Sequence, residues 1–215
     1  MVNNYFKNGA NMLKKNYNEE DCQNYLIVNA IINQDMDALK KTLEDGEIPN
    51  GRMPNGDLLL IYAVKNKLYD ICDILLQYKA KVNWPSNDGY APIHYATLMN
   101  DDVLIAILFK YKAQPDKTIA NTKKTALMLA VEEQKEKAVL ALLKGGANPN
   151  ARDYQKDSAV IRSVFNQKNS MEICKNLIVH GGKVGQKNDL GQDAKEIAIQ
   201  SGFPLEKVIK SINHH

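Results

Sequence analysis

Residues 58–83 read LLLIYAVKNKLYDICDILLQYKAKVN, residues 91–116 read APIHYATLMNDDVLIAILFKYKAQPD, and residues 125–150 read TALMLAVEEQKEKAVLALLKGGANPN. The three stretches align without a gap over 26 positions, and their starts are 33 and 34 residues apart. The same frame continues to Tyr25 on one side and to Ser158 and Asp193 on the other. A fixed period of this length is typical of proteins built by stacking one small unit. The sequence therefore predicts six units, starting near residues 25, 58, 91, 125, 158 and 193.

Within each copy, apolar residues recur at helical spacing in two short runs. In the third unit the first run contains Ile93 and Ala96, and the second contains Leu104, Ile105 and Leu108. Each unit is therefore predicted to form two short antiparallel helices that expose one apolar side to the next unit. No single unit of this size could bury that side alone, so stacking is what allows the chain to fold.

The ends of the chain and the fifth unit depart from this regular frame. The step from Ser158 to Asp193 is 35 residues, which fits a two-residue insertion near residues 166–169 and makes the fifth unit the least regular. Residues 1–17 are rich in Asn and Lys and are predicted to form a partly ordered arm before a single domain of residues 18–215. His214 and His215 fit either native residues or a tag remnant, so they do not indicate a metal site.

Three segments carry a resemblance to a known family. GYAPIHYA (residues 89–96) resembles the ankyrin signature of Gly, then Thr-Pro-Leu-His, then Ala, and LLKGGANPNARD (residues 142–153) is similar to the closing part of that repeat. GQDAKEIAIQSG (residues 191–202) resembles a C-terminal ankyrin repeat. The signature His is replaced by Ile61, Met128 and Ile161 in the second, fourth and fifth units.

This resemblance covers roughly residues 22–212 and implies an all-α ankyrin-repeat solenoid of about six helix-turn-helix units. It further implies β-hairpin finger loops between units, centred near Asn55, Asp88, Thr122, Gln155 and Leu190. Gly56, Gly89 and Gly191 supply the turn residues that a tight finger needs.

In ankyrin stacks, the fingers and the exposed side of the first helices form a concave surface that binds partner proteins. The resemblance therefore implies a binding surface in the second to fourth units, where apolar and aromatic residues occupy positions expected to meet water. Aromatic and Met residues are enriched in protein interfaces. The candidate partner-binding residues are Tyr62, Trp84, Tyr90, Tyr95, Leu98, Met99, Leu129, Glu132 and Glu133. The alternative is that Leu98 and Leu129 pack against the roots of the fingers and that Tyr62 and Tyr95 stack on each other.

The composition limits the compartment and the class of partner. No apolar stretch is long enough for a signal peptide or a membrane span, and three cysteines without paired spacing fit a reducing compartment. We therefore expect a cytoplasmic protein, with a nuclear protein or an exported effector as alternatives, monomeric by itself and without membrane contact.

The net charge is +3, and only Arg52, Arg152 and Arg162 are arginines, which disfavours a protein that binds nucleic acid. Lys79, Lys81, Lys110 and Lys112 suggest a basic strip or a solvated face.

The motif search indicates neither catalysis nor a cofactor. The sequence contains no HExxH, GxxxxGK or GxSxG pattern, and GGKVG (residues 181–185) stands where an ankyrin repeat ends its second helix. The resemblance implies that the His94 ring bonds neighbouring backbone and that Asn150 ties the finger loop together. Cys72 and Cys174 share an inward-facing position and are predicted to be buried.

These observations predict a non-catalytic protein-binding adaptor or scaffold, without metal or cofactor. An inhibitor or regulator of an enzyme or transcription factor is the first alternative, because it would use the same face. An enzyme or ligand-binding domain on an ankyrin frame is the third class, and a deep pocket lined by His or carboxylates would favour it.

Overall fold

The computed structural model describes residues 19–165 and 168–213, and their side chains from residue 25 onward. These residues form twelve α-helices, which are α1 (Glu19–Asn33), α2 (Met36–Glu44), α3 (Leu59–Lys65), α4 (Tyr69–Gln77), α5 (Pro92–Leu98), α6 (Asp102–Lys110), α7 (Ala126–Glu132), α8 (Glu136–Lys144), α9 (Ala159–Ser163), α10 (Met171–Val179), α11 (Ala194–Ser201) and α12 (Leu205–Asn213). No helix in this described part is long and apolar enough to cross a membrane.

The helices form two layers. The first helices of successive units contact one another in the order α3, α5, α7, α9 and α11, and the second helices do so in the order α2, α4, α6, α8, α10 and α12. Within a unit, the first helix packs on the second, as α5 does on α6 and α7 on α8. In the described part of the chain, contacts within a unit and between adjacent units therefore build the stack, which confirms the predicted all-α ankyrin solenoid.

The repeat frame predicted from the sequence coincides with the helix starts in five units. Leu58, Ala91, Thr125, Ser158 and Asp193 are the N-cap residues of α3, α5, α7, α9 and α11. The side chain of Ser158 accepts a hydrogen bond from the backbone N–H of Ile161, and that of Thr125 accepts one from Met128. In the first unit α1 begins at Glu19, six residues before Tyr25, so its 15 residues make it longer than the first helices of the other described units.

Short turns, several of which contain a residue in the left-handed backbone conformation, join the helices and form the fingers. Isolated antiparallel bridges join Arg52 to Leu58 and Thr118 to Thr125, so these two fingers hold single bridges rather than longer strands. Gly89 and Gly191 adopt φ of 81° and 73° at the finger tips, a conformation that strains most other residues.

The core runs the length of the stack between the two layers. Ile27, Leu59, Ile93, Leu127 and Ile161 are each at most 1 % exposed, one from each of the first five units. Ala194 and Val208 continue this core into the sixth. Each unit thus buries the apolar side of the one before it, as the repeat pattern predicts.

Polar side chains in the loops that follow the second helices also link successive units by hydrogen bonds. The side chains of Asn50, Asn83 and Asp116 accept hydrogen bonds from the backbone N–H of Lys81, Gln114 and Asn148, 2.8–2.9 Å away. Asn150 accepts one from the backbone N–H of Lys183 and donates one to the carbonyl of Gly181, both at 2.8 Å. The side chain predicted to tie a finger loop therefore ties one repeat to the next.

The fifth unit is irregular at its first helix. α9 has only five residues, and the side-chain amide of Asn169 donates to the carbonyls of Arg162 and Ser163, which closes the end of the helix. Asn166, where the insertion begins, lies outside the described residues, as do the N-terminal arm and the two terminal histidines.

Candidate functional site

His94 organises the middle of the stack. Its ring is fully buried, its Nδ1 accepts a hydrogen bond from the backbone N–H of Ala91, and its Nε2 donates one to the carbonyl of Lys117, each at 2.9 Å. Burial lowers the pKa of His94 to about 4, so the ring is neutral near neutral pH. These contacts confirm the predicted structural role of His94, and they join the third unit to the next finger.

Four predicted site residues lie along the first helices of units two and three and form what we call the central face: Tyr62, Tyr95, Leu98 and Met99. All four are half-buried. The Tyr95 hydroxyl donates to Oγ of Ser86 at 3.0 Å, its ring centroid lies 5.7 Å from that of Tyr90, and Nζ of Lys65 lies 4.7 Å from its centre. In the described part of the chain, the aromatic partner of Tyr95 is thus Tyr90 rather than Tyr62.

Leu129 does not share this exposure. Its side chain is only 7 % exposed, so the expectation that it meets water is corrected. One turn further along α7, Glu132 pairs with both Lys124 and Arg162. The fourth unit therefore offers charged groups at this surface, with Glu133 exposed at the C-cap of α7.

Trp84 lies on a second surface. Its indole is 40 % exposed and carries Nζ of Lys81 at 4.3 Å from its centre. It lines a groove together with the C-terminal ends of α4 and α6, and neither Tyr90 nor Tyr95 lines that groove. The sequence placed Trp84 beside the central face, on the adjacent finger, whereas in the structure it lines the groove at the C-terminal ends of two second-layer helices.

Polar residues at the edge of the first-helix surface, which we call the rim, form ordered contacts between finger and first helix. Asp57 accepts from Lys65 at 2.8 Å, Lys124 donates to Glu132 at 2.9 Å, and Gln192 donates to Gln200 at 3.0 Å. In each pair, the finger residue directly precedes the repeat start and its partner stands eight positions later. The same two positions of the third unit hold Tyr90 and Leu98, so an apolar pair interrupts a polar rim there.

Arg162 is the centre of an ion cluster that the repeat pattern does not predict. Its side chain is 10 % exposed and pairs with Glu132 and Asp153, with Asp157 at 3.7 Å. Asp153 is fully buried in its side chain and also accepts from the backbone N–H of Gln155 and Asp157. One sequence signal existed, since Asp153 and Asp157 flank the finger shortly before Arg162, in a chain with only three arginines.

The described residues offer little for covalent or metal chemistry. No group of three or more His, Cys, Asp or Glu among them could hold a metal ion. Burial raises the pKa of the Cys72 thiol to about 12 and also raises that of Cys174, so neither is a ready thiolate. Both are buried free cysteines, as the repeat pattern predicts.

The comparisons with known proteins agree with this architecture. The family model described as ankyrin repeats in three copies matches residues 2–119 and 83–153. The crystal structure of EF0377, an ankyrin-repeat protein, superposes with a TM-score of 0.74 and 22 % sequence identity, covering 86 % of this chain and 96 % of that one. This likeness shows the fold.

Two viral sequences are also similar. A putative ankyrin repeat protein of fowlpox virus (strain NVSL), FPV031, is 37 % identical over 94 residues, 41 % of this chain and 28 % of that protein. A putative ankyrin repeat protein of Acanthamoeba polyphaga mimivirus, L371, is 27 % identical over 143 residues, 64 % of this chain and 19 % of that protein. The chain thus spans less than a third of the length of either relative. Since the family model covers more than half of it, this chain belongs to the ankyrin-repeat family.

Proposed function

We propose that this chain is a non-catalytic protein-binding module, an adaptor or scaffold, that binds a partner protein on its concave side at the central face. Ankyrin repeats generally mediate protein–protein interaction, and the family is typically non-enzymatic. Two buried free thiols support a reducing, cytoplasmic setting for this binding.

The apolar interruption of the rim is the observation that carries the proposal. Units two, four and six place an ion pair or an amide pair between finger and first helix, whereas unit three has Tyr90 and Leu98 at those positions. An apolar centre inside a charged rim is the usual anatomy of a protein interface. The partner is therefore expected to insert apolar side chains at the third unit and to place polar groups around it.

The Tyr95 side chain is already ordered in a position that suits such a contact. Its hydroxyl is fixed on Ser86, one neighbour of its ring is Tyr90, and the ammonium of Lys65 lies near it. A side chain that is already ordered loses less entropy on binding. Tyrosines of this kind frequently dominate the binding free energy of an interface.

The test replaces the apolar pair by the charged pair that the fold already uses. Tyr90→Lys with Leu98→Glu copies the positions of Lys124 and Glu132 in the next unit, so the stack is expected to keep its stability. In affinity capture from the native organism, wild type should retain a partner that this variant loses. The identity of that partner then separates an adaptor from an inhibitor or regulator.

The control introduces the same two charges on the other layer. Val103→Lys with Val179→Glu changes exposed residues of α6 and α10, which are 53 % and 57 % exposed. The control should bind as wild type does, and both variants should melt within a few degrees of it. A partner captured equally by all three proteins would show that the central face is not the binding site.

A further inference from the structure

A groove crosses the C-terminal ends of α4 and α6 and the loops that follow them. Five lysines line it, namely Lys79, Lys81, Lys110, Lys112 and Lys117, together with the aromatic side chains of Trp84 and Tyr111. None of the described residues that line this groove is acidic. We propose that this basic groove binds an acidic peptide segment of a partner protein, at a surface separate from the central face.

The positive charge of the basic groove is largely uncompensated within the described structure. Of its five lysines, Lys110 has an ion-pair partner among the described residues, Asp73 at 2.6 Å. Like charges held close together repel one another, so an anionic ligand that lies between them gains from all of them. The occupant that matches this charge carries several carboxylates in a row.

The aromatic rings give the basic groove defined binding points. Nζ of Lys81 lies 4.3 Å from the centre of the Trp84 ring, and Nζ of Lys110 lies 5.0 Å from the centre of Tyr111. An ammonium held over an aromatic face is partly ordered before the ligand arrives. Trp84 also borders a small cavity with Pro49 and Pro92 of the neighbouring units, so the indole reaches from the groove towards the interior.

The extent of the charge favours a short peptide over a nucleic acid. The positions equivalent to Lys79 and Lys112 are Gly46 before the groove and Gly146 after it, and those equivalent to Lys81 are Ile48 and Asn148. A nucleic-acid backbone needs a basic track that continues along it, and stacking needs free ring faces. Of the repeat positions that hold these lysines, the next unit keeps a lysine only at Lys144, the equivalent of Lys110, so the basic track thins after two units. Ammonium groups also lie over both rings already.

The chain's own N-terminal segment does not match the groove. Residues 1–18 contain three lysines and no Asp or Glu. Their charge has the same sign as the groove, so this segment is not the complementary peptide.

Trp84 is the sole tryptophan of the chain, so its fluorescence reports on this site. The probe is a fluorescein-labelled peptide of about ten residues, mostly Glu and Asp, followed by anisotropy, with an unlabelled copy for the tryptophan signal. Wild type should bind with an affinity that falls as salt rises. Lys81→Glu with Lys117→Glu should weaken binding at least about tenfold.

A control variant, Lys40→Glu with Lys207→Glu, changes the net charge equally at exposed positions outside the groove. It should bind the peptide within about twofold of wild type, because distant surface charges are screened by salt. Circular dichroism melting checks that both variants are folded. Equal weakening in the two variants would mean that net charge alone attracts the peptide and would overturn the proposal.

Two further measurements distinguish a peptide site from a nucleic-acid site and the basic groove from the central face. Single-stranded oligothymidine of matched charge should bind more weakly than the peptide. If it binds more tightly, and if this binding depends on Lys81 and Lys117, the ligand of the groove is a nucleic acid and the peptide proposal is wrong. Tyr90→Lys with Leu98→Glu should leave peptide binding unchanged. Loss of peptide binding in that variant would show that the groove and the central face form one binding site. The function proposed for the central face is tested separately, by its own capture experiment.

Discussion

Replacing His94 by Met should make the free energy of unfolding depend less on pH. The folded chain holds the pKa of His94 at about 4, against about 6.5 in an unfolded chain. As the pH falls below about 6.5, the unfolded chain binds a proton that the buried ring does not accept, so the stability falls towards pH 4 and is fully present above pH 7. The difference in pKa corresponds to about 2.5 kcal/mol by pH 4.5 and about 3 kcal/mol by pH 4.

Met is the matched substitution because this chain already uses it. Met128 occupies the equivalent position of the fourth unit and is fully buried there. The assay is urea unfolding followed by circular dichroism at pH steps from about 7.5 to 4. Carboxylates titrate in both proteins, so the difference between the two profiles isolates the ring. The free energy of unfolding of wild type should fall by about 2.5 kcal/mol more than that of the variant by pH 4.5.

Parallel profiles would refute this reasoning. If the two free energies of unfolding keep a constant difference within about 0.5 kcal/mol, the ring takes up its proton in the folded protein as easily as in the unfolded one. NMR titration of the His94 ring protons gives an independent reading, and a midpoint near 6.5 would contradict the burial that we describe.

Three further predictions concern the stack. Arg162→Ala should cost about 3 kcal/mol in urea unfolding, because it leaves the buried Asp153 without its cation, whereas Lys144→Ala should cost less than about 0.5 kcal/mol. Lys79 has φ of 72°, so Lys79→Gly should stabilise the chain by up to about 1 kcal/mol, and Gly146→Ala, at φ of 87°, should cost a similar amount. Asn150→Ala should cost about 1–2 kcal/mol and accelerate hydrogen exchange of the Lys183 amide.

The fold was predictable from the sequence because a solenoid is built from local contacts. Each helix packs on its chain neighbours, so the period of 33 residues fixes both the helix starts and their partners. The frame placed the N-caps of five units correctly, down to Ser158 and Asp193. In the first unit the helix begins at Glu19, where three consecutive acidic residues, 19–21, favour a helix N-terminus.

The site was predictable only in part, because exposure depends on neighbouring side chains that a repeat alignment does not show. Tyr95 and Met99 are half-buried at the expected surface, but Leu129 is buried. The Arg162 cluster is assembled from residues up to 30 positions apart, and helical periodicity carries no information about such pairs. The position of Trp84 depended on the path of a loop, which composition does not determine.

His94 connects the two proposed surfaces, and this gives them a common sensitivity to acid. Its ring packs edge-on against Tyr90 beside the central face, at 5.9 Å between centroids, and bonds the carbonyl of Lys117, whose side chain lines the basic groove. A protonated ring could no longer accept from the N–H of Ala91, and the nearby ammonium of Lys117 opposes the new charge.

Local unfolding around His94 should therefore become more frequent at both surfaces as the pH falls below about 6.5. The measurement is hydrogen exchange of the Ala91 and Ile119 backbone amides in wild type and in His94→Met, at pH values corrected for the intrinsic exchange rate. The Ile119 amide donates to the carbonyl of Lys124 and lies two residues beyond Lys117, so it reports on the finger that His94 holds. Protection of both amides should fall with pH in wild type and stay level in the variant. If protection at Ile119 stays level in wild type while that at Ala91 falls, the ring holds only its own helix and the two surfaces are independent.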